Sequence, residues 1–490
     1  MKAAIFDNDG GLLGMDRQEY ALLMPASAIV ELEPETYWQA CCRAVRGALL
    51  QSSADPAQVQ TVCISSQGET IILLDAAGRP TRSAIVWLDN RAVDEAALIA
   101  AEFGHEQVFQ VTGEPDIAPT WPSSKILWVR RNEPEVFART SKYLLLEDYL
   151  LYRLTGQYVT ERSLQADTLF LDVRSGAWWE PMFDLVGVTP QQMGRLSDPG
   201  EVIGPLSSEG AEALGLTTGT LAVTGAMDQM MGALGAGNAS PGIATETTGG
   251  ALAIVATLDG FFLDPQRRMP TMFHARPGTY ALMPWAQTAG MALKWFRDQF
   301  YGLESQVAYA SYFDPYLLMT SQAAAVPPGS DGLVVLPHFE GAACPEFNPS
   351  ARAVFYGATL RHTKAHFTRG ILESVAYMLK KNLDTVEELG IPVDRIRSIG
   401  GGARSLLWLQ IKADVLQKPV EAPEVEEAAL LGAALLGATA VGEFSSVEDG
   451  IARMVRLRES LEPNPANAEI YAEAYRRYVE LYDRLAPMFV

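Results

Sequence analysis

The sequence predicts a mixed α/β protein of two domains. Three observations carry that reading. The chain of 490 residues is too long for a single hydrophobic core. Short apolar runs of strand length alternate with segments of helical periodicity to about Gly237 and again beyond it. Several of the strands end in clusters of Gly and polar residues, where binding groups collect in α/β proteins.

Composition narrows the function. With 48% hydrophobic and 20% charged residues, the chain has the make-up of an ordinary globular protein. A net charge of −21 argues against nucleic acid and anionic membranes as partners, so any phosphate site must be local. Four cysteines, Cys41, Cys42, Cys63 and Cys344, show no CxxC pairing and suggest reduced thiols in a cytoplasmic protein. No secretory leader and no membrane span are expected: residues 428–441 form the longest small-apolar run, too short and too rich in Ala and Gly. His362 and His366 in RHTKAH have a metal-like spacing but no third ligand nearby, which favours a solvated or capping role.

In chain order, residues 3–6 read as a strand, Asp7 to Gly11 as a tight turn and residues 12–14 as the returning strand. The same FDNDGGLL resembles the opening of haloacid-dehalogenase-like phosphatases, with Asp7 as nucleophile and Asp9 as acid/base. Gly11 departs from that pattern and no later pair of metal-binding acids is evident, so a hairpin is the favoured reading.

Residues 33–50 have Trp38, Cys41, Val45 and Leu49 on one helical face. Residues 59–65 form a buried strand delivering Gln67, Gly68, Glu69 and Thr70, and 71–75 with 83–87 are expected to form a hairpin ending at Asp89, Asn90 and Arg91. Thr120 precedes a helix beginning near Lys125, and 144–154 is another helix.

The central stretch, TGAMDQMMGALGAGNASPGIATETTGGALAIV, puts one carboxylate, Asp228, at the opening of a helix. An acid there is an N-cap or a general base. Thr247, Thr248, Gly249 and Gly250 then sit in a strand-to-strand turn whose backbone suits phosphate oxygens, though such a turn is also common without a ligand. Residues 289–300 and 364–389 are helices, and 332–337 a buried strand. A strand at 395–399 delivers Gly400, Gly401, Gly402 and Ala403 into the helix 406–416, a turn that lets a nucleotide approach the backbone closely. An Ala-rich helix follows, and residues 466–485 close the chain as a helix.

These segments in this order resemble the FGGY carbohydrate kinases. The matching stretches include Gln67 with the residues after it, WLDNRA, PSSKILWVRRN, GAMDQMMGALGAG, AGMALKWFRD, LPHFEGAACPEFNPSARAVFYGATL, GILESVAYML, IGGGARSLLWLQIKADVL and EVEEAALLGAAL, and they span almost the whole chain. The resemblance implies two RNase-H-like (actin/hexokinase-type) domains flanking a catalytic cleft, 1–241 for sugar and 242–490 for nucleotide. It implies ATP and Mg²⁺ as cosubstrate and cofactor, with no metal-ligating residue assigned, and it leaves a homodimer open.

Residue by residue, the resemblance makes Asp228 the general base. It puts Gln67, Gly68, Glu69, Asp89, Asn90 and Thr120 with Asp228 on the sugar side. On the ATP side it puts Thr247, Thr248, Gly249, Gly250, Gly290, Lys294, Gly401, Gly402, Ala403 and Ser405. Gly68 stands where glycerol kinases have arginine and Thr120 where they have tyrosine, implying a roomier pocket for a pentulose, hexulose or sugar acid. The pattern is xylulokinase-like overall. The family's first strand and DxGT turn have no counterpart ahead of residues 2–7, so the first domain is expected to hold only the second strand of that opening hairpin. Two explanations are expected for this feature: a start codon assigned too late, which is the favoured one, or a catalytically impaired sugar-binding pseudokinase of the same fold.

Overall fold

The computed structural model describes residues 1–489. The chain forms two compact units that are not consecutive halves. The first combines 1–239 with 259–281 and 427–455, and the second holds 240–258, 282–426 and the segment from 456 onward. The chain leaves the first unit near the boundary expected from sequence, at 241/242, but two later segments return to it.

In the first unit, Lys2–Phe6 and Leu12–Arg17 pair antiparallel. Their turn is closed by Asp7, whose Oδ1 accepts from the N–H groups of Asp9 at 3.0 Å and Gly11 at 2.7 Å. Asp9 faces Arg453 at 2.9 Å. The motif shared with the phosphatases is thus a hairpin whose acids are occupied by the turn and an ion pair. The hairpin packs on the helix Pro34–Ser52; Gly14 lies so close that a Cβ there would sit 2.4 Å from the carbonyl of Ala48.

A separate sheet holds Val202–Pro205, Leu221–Met227 and Thr61–Ser66 in that order, the last two strands parallel. Residues 71–75 and 83–87 do not form the expected regular hairpin. Ile72–Leu74 pairs with Lys142–Leu144, and Ala84–Ile85 pairs with Ile29–Leu32. Ile71 to Leu74 are all buried, and apolar backbone buried on both sides takes a neighbour on each side; only isolated bridges join the two segments.

The helices Asp228–Gly235 and Ala428–Ala440 meet through glycines. A Cβ on Gly235 would stand 1.8 Å from the carbonyl of Ala428, and one on Gly432 would stand 2.2 Å from that of Met231. Overpacked helix contacts cost about 1–3 kcal/mol, so Gly235→Ala is expected to lower the melting temperature by several degrees while leaving helix content by circular dichroism unchanged.

The second unit is built on one sheet in the order Leu252–Leu258, Gly242–Thr248, Val393–Ile399, Val420–Pro423 and Leu457–Leu461. Gly242–Thr248 runs antiparallel to Leu252–Leu258 and parallel to Val393–Ile399, which places the TTGG turn and the GGG turn at the same sheet edge. The helices Lys364–Glu388 and Leu406–Leu416 belong to this unit. Thr363 and His366 form a capping box at the first of them, with His366 Nδ1 accepting the Thr363 N–H at 3.1 Å. His362 Nδ1 likewise accepts the Thr359 N–H at 2.8 Å, so both histidines of RHTKAH serve the backbone. Among the described residues, no helix is long and apolar enough to cross a membrane.

Candidate active site

In the first unit the site grows from the junction between Leu221–Met227 and Asp228–Gly235. The strand register shifts between Val223 and Ala226, which frees the Gly225 N–H to donate to Glu147 Oε1 at 2.7 Å. Only glycine fits there, because a Cβ would lie 1.6 Å from the Ile64 carbonyl. One residue before the acid, the Met227 N–H donates to Ser163 Oγ at 2.9 Å, and Ser163 donates to Glu161 at 2.5 Å. Two buried carboxyl groups thereby fix the backbone that presents Asp228. Burial pushes the Asp228 carboxyl up to about 6, against the lowering effect of hydrogen bonds from Gln229. A carboxylate tuned toward neutrality is suited to accept a proton.

Glu69 follows the strand Thr61–Ser66 with φ of 64°, a strained conformation for a residue with a side chain. Its carbonyl accepts from Lys125 Nζ at 3.0 Å, and Nζ also donates to the Val86 carbonyl at 3.0 Å. Lys125 is fully buried in the helix Pro122–Asn132. Burial lowers its ammonium to about 8 and raises the Glu69 carboxyl to about 7, with Lys125 opposing and Asp228 reinforcing the second shift. Gly68 leaves room for Asp167, whose Oδ2 stands 2.8 Å from where a Cβ would be.

The other sugar-side residues expected from sequence divide. Gln67 donates its amide to Thr70 Oγ1 at 2.7 Å and remains partly exposed. Thr120 is partly exposed in the turn that leads into Pro122–Asn132. Asn90 is exposed and folds its side chain back on the Leu88 carbonyl. Asp89 has a different role from the one expected: it is fully buried, and its oxygens accept from the Val30 N–H at 2.6 Å and from the backbone and guanidinium of Arg91. No lone pair faces outward, because Asp89 anchors the loop.

Sequence reasoning missed Glu114, Asp167, Glu147 and Glu161. Each stands outside any motif the sequence announces, and only folding brings it to the site.

In the second unit, a cavity of about 460 Å³ is lined by Thr248, Gly249, Gly250, Gly290, Lys294, Gly401, Gly402 and Ser405. Thr247 and Ala403, expected with them, do not line it: the strand period turns Thr247 to the opposite face, and Ala403 is buried behind the turn. The lining also includes Leu293, Tyr316, Leu317, Thr320 and Trp408, an apolar wall that the loop motifs did not announce. Two turns make the floor. Gly402 approaches Thr248 so closely that a Cβ would meet its Cβ at 2.7 Å, and a Cβ on Gly290 would meet the Gly249 carbonyl at 2.3 Å. Below them, Lys412 and Glu246 are both wholly buried and 2.5 Å apart. The Thr248 hydroxyl donates to Glu246 at 2.6 Å and accepts from Lys412 at 3.0 Å, while Ser398 donates to Glu246. The hydroxyl is consumed internally, so Thr248 offers its backbone to the cavity.

Comparison with known proteins gives the family. Residues 1–235 match the N-terminal domain, and residues 263–441 the C-terminal domain, of the FGGY family of carbohydrate kinases. The chain is 30% identical over 485 residues to a gluconokinase of Bacillus licheniformis, covering 98% of this chain and 93% of that protein. It is 30% identical over 490 residues to a xylulose kinase of Escherichia coli (strain K12), covering 100% of this chain and 97% of that protein. The crystal structure of a xylulose kinase from Rhodospirillum rubrum superposes with a TM-score of 0.88 at 29% identity, covering 98% of this chain and 95% of that one. With both family domains matched in order along one chain, the protein belongs to the FGGY family of carbohydrate kinases.

Proposed function

We infer that the protein transfers the γ-phosphate of ATP to a hydroxyl of a ketose or related polyol, with Asp228 as general base. The observation that carries this reading is Asp228 itself: a carboxyl raised to about 6, opening a helix and held by a dedicated backbone scaffold. Asp228 takes the proton of the acceptor hydroxyl as its oxygen attacks the γ-phosphorus. The bond from that phosphorus to the β-bridging oxygen breaks, and ADP departs.

The cavity of the second unit suits the nucleotide, with glycine backbone for the phosphates and Tyr316, Leu317 and Trp408 for the base. Lys294 lines the same cavity, with its ammonium paired to Asp298 at 2.8 Å. Magnesium fits as a companion of the nucleotide. Among the described residues no group of three acidic, His or Cys side chains is placed to hold a metal ion, and Mg²⁺ is commonly held by substrate phosphates, water and one or two carboxylates. Bound with ATP, it offsets charge on the γ-phosphate. A cytoplasmic setting accords with four cysteines that form no disulfide among the described residues and with the need for ATP.

Coupled ADP release with MgATP across a panel of ketoses and polyols tests the reading. Release is expected to require sugar, and kcat/KM is expected to fall about tenfold per pH unit below about pH 6, because a base must be deprotonated to act. Sugar-independent release, or an acidic limb centred near the ordinary carboxylate value of about 4, would count against Asp228 as the base. A sugar that raises the melting temperature without turnover would favour a binding protein.

A further inference from the structure

The two curated relatives described above are named for a sugar acid and for a neutral ketose, and the charges around Asp228 discriminate between those two classes. Asp228 acts electrostatically on Glu69 and Asp167, and Glu114 and Glu69 act on Asp167 as well. Glu114 in turn feels the charges of Glu69 and Asp116. The first unit therefore surrounds its base with further acids. Glu114 and Asp167 are buried, and Glu114 Oε1 and Asp167 Oδ2 have no hydrogen-bond partner.

The nearby cations are committed. Lys125 is sealed in the core with Nζ on two carbonyl oxygens. The guanidinium of Arg91 is bonded to Asp89 and Glu31 and lies 4.9 Å from the Trp128 ring centroid. At position 68, the space beside the backbone that a long basic side chain would need is taken by Asp167 Oδ2, 2.8 Å from the Cβ position.

We propose that the acceptor is an uncharged ketose or polyol and that aldonates and other sugar acids are rejected, because the described residues around Asp228 offer orphaned carboxyl oxygens while the cations named among them, Lys125 and Arg91, are both committed. This rests on Asp228 serving the phosphoryl acceptor. A sugar hydroxyl is at once donor and acceptor, and so is a protonated carboxyl. Burial holds Glu114 and Asp167 well above the ordinary carboxylate range, so at neutral pH they present both functions to a polyhydroxyl ligand. A carboxylate ligand would shed its water beside these groups and the Asp228 carboxylate and gain no counter-ion, the costly case for a buried charge.

The test compares ketopentoses, ketohexoses and pentitols with pentonates and hexonates of equal carbon number, using the full chain. ADP release and melting temperature are followed in parallel. The expected result is a kcat/KM for the best neutral sugar at least ~100-fold above that for any acid, with acids failing to compete. An aldonate used as well as its neutral counterpart would overturn the proposal. If no sugar is phosphorylated but neutral sugars alone raise the melting temperature, the selectivity stands and the kinase mechanism falls. If neither class turns over or shifts the melting temperature, or if acids shift it as much as neutral sugars, the selectivity is refuted.

Discussion

Replacement of Asp228 by Asn is expected to reduce sugar-dependent ADP release by roughly 10²–10⁴-fold, the range associated with loss of general-base assistance. The amide keeps the size of the side chain and its place at the start of Asp228–Gly235, so the fold should survive. Sugar binding, followed by the sugar's effect on melting temperature, should persist, because the loss falls on kcat rather than on ground-state contacts. Unchanged turnover in Asp228→Asn would remove Asp228 from the mechanism. Asp7→Asn is the internal control: Asp7 closes a surface hairpin through the N–H groups of Asp9 and Gly11, and its replacement should leave phosphoryl transfer intact.

Replacement of Lys412 by Met should be the most destabilising single change in the second unit. It leaves Glu246 with a charge that is wholly buried and stripped of its ammonium partner at 2.5 Å. Breaking a buried pair in this way costs about 3–5 kcal/mol. For a unit of this size that corresponds to a drop in melting temperature of roughly 10 °C. The double variant Glu246→Gln with Lys412→Met removes both charges and should recover much of the loss, since the penalty comes from the stranded charge. A single variant as stable as the parent would show that the pair contributes little. Because Lys412 and Glu246 also hold the Thr248 hydroxyl, the KM for ATP in the double variant is expected to rise while kcat at saturating ATP changes less.

Both predictions show how differently the candidate residues of the two units are written in the chain. The glycine turns that line the cavity of the second unit were legible because glycine clusters carry a local meaning: TTGG and GGG allow close backbone approach wherever they stand. Asp228 was legible because a lone acid after a glycine-bearing strand opens the following helix. Glu114, Asp167, Glu147 and Glu161 had no such signal. They fall outside any motif, and an acid in such a stretch looks the same whether it ends in water or beneath a candidate site. Asp89 erred in the other direction: its neighbours in WLDNRA gave it the look of a ligand, while the fold spends its oxygens on Val30 and Arg91.

Sequence alone determined the mixed α/β class, the order of strands and helices, the glycine turns and the identity of the candidate base, all of which depend on periodicity and short-range chemistry. Tertiary structure decided which strands pair, which segments return to the first unit, and which charges are buried together. Those outcomes turn on contacts between residues tens to hundreds of positions apart, and on the loss of water around them. An isolated carboxyl has its ordinary acidity in any sequence; only the folded chain removes its water and sets it beside Asp228.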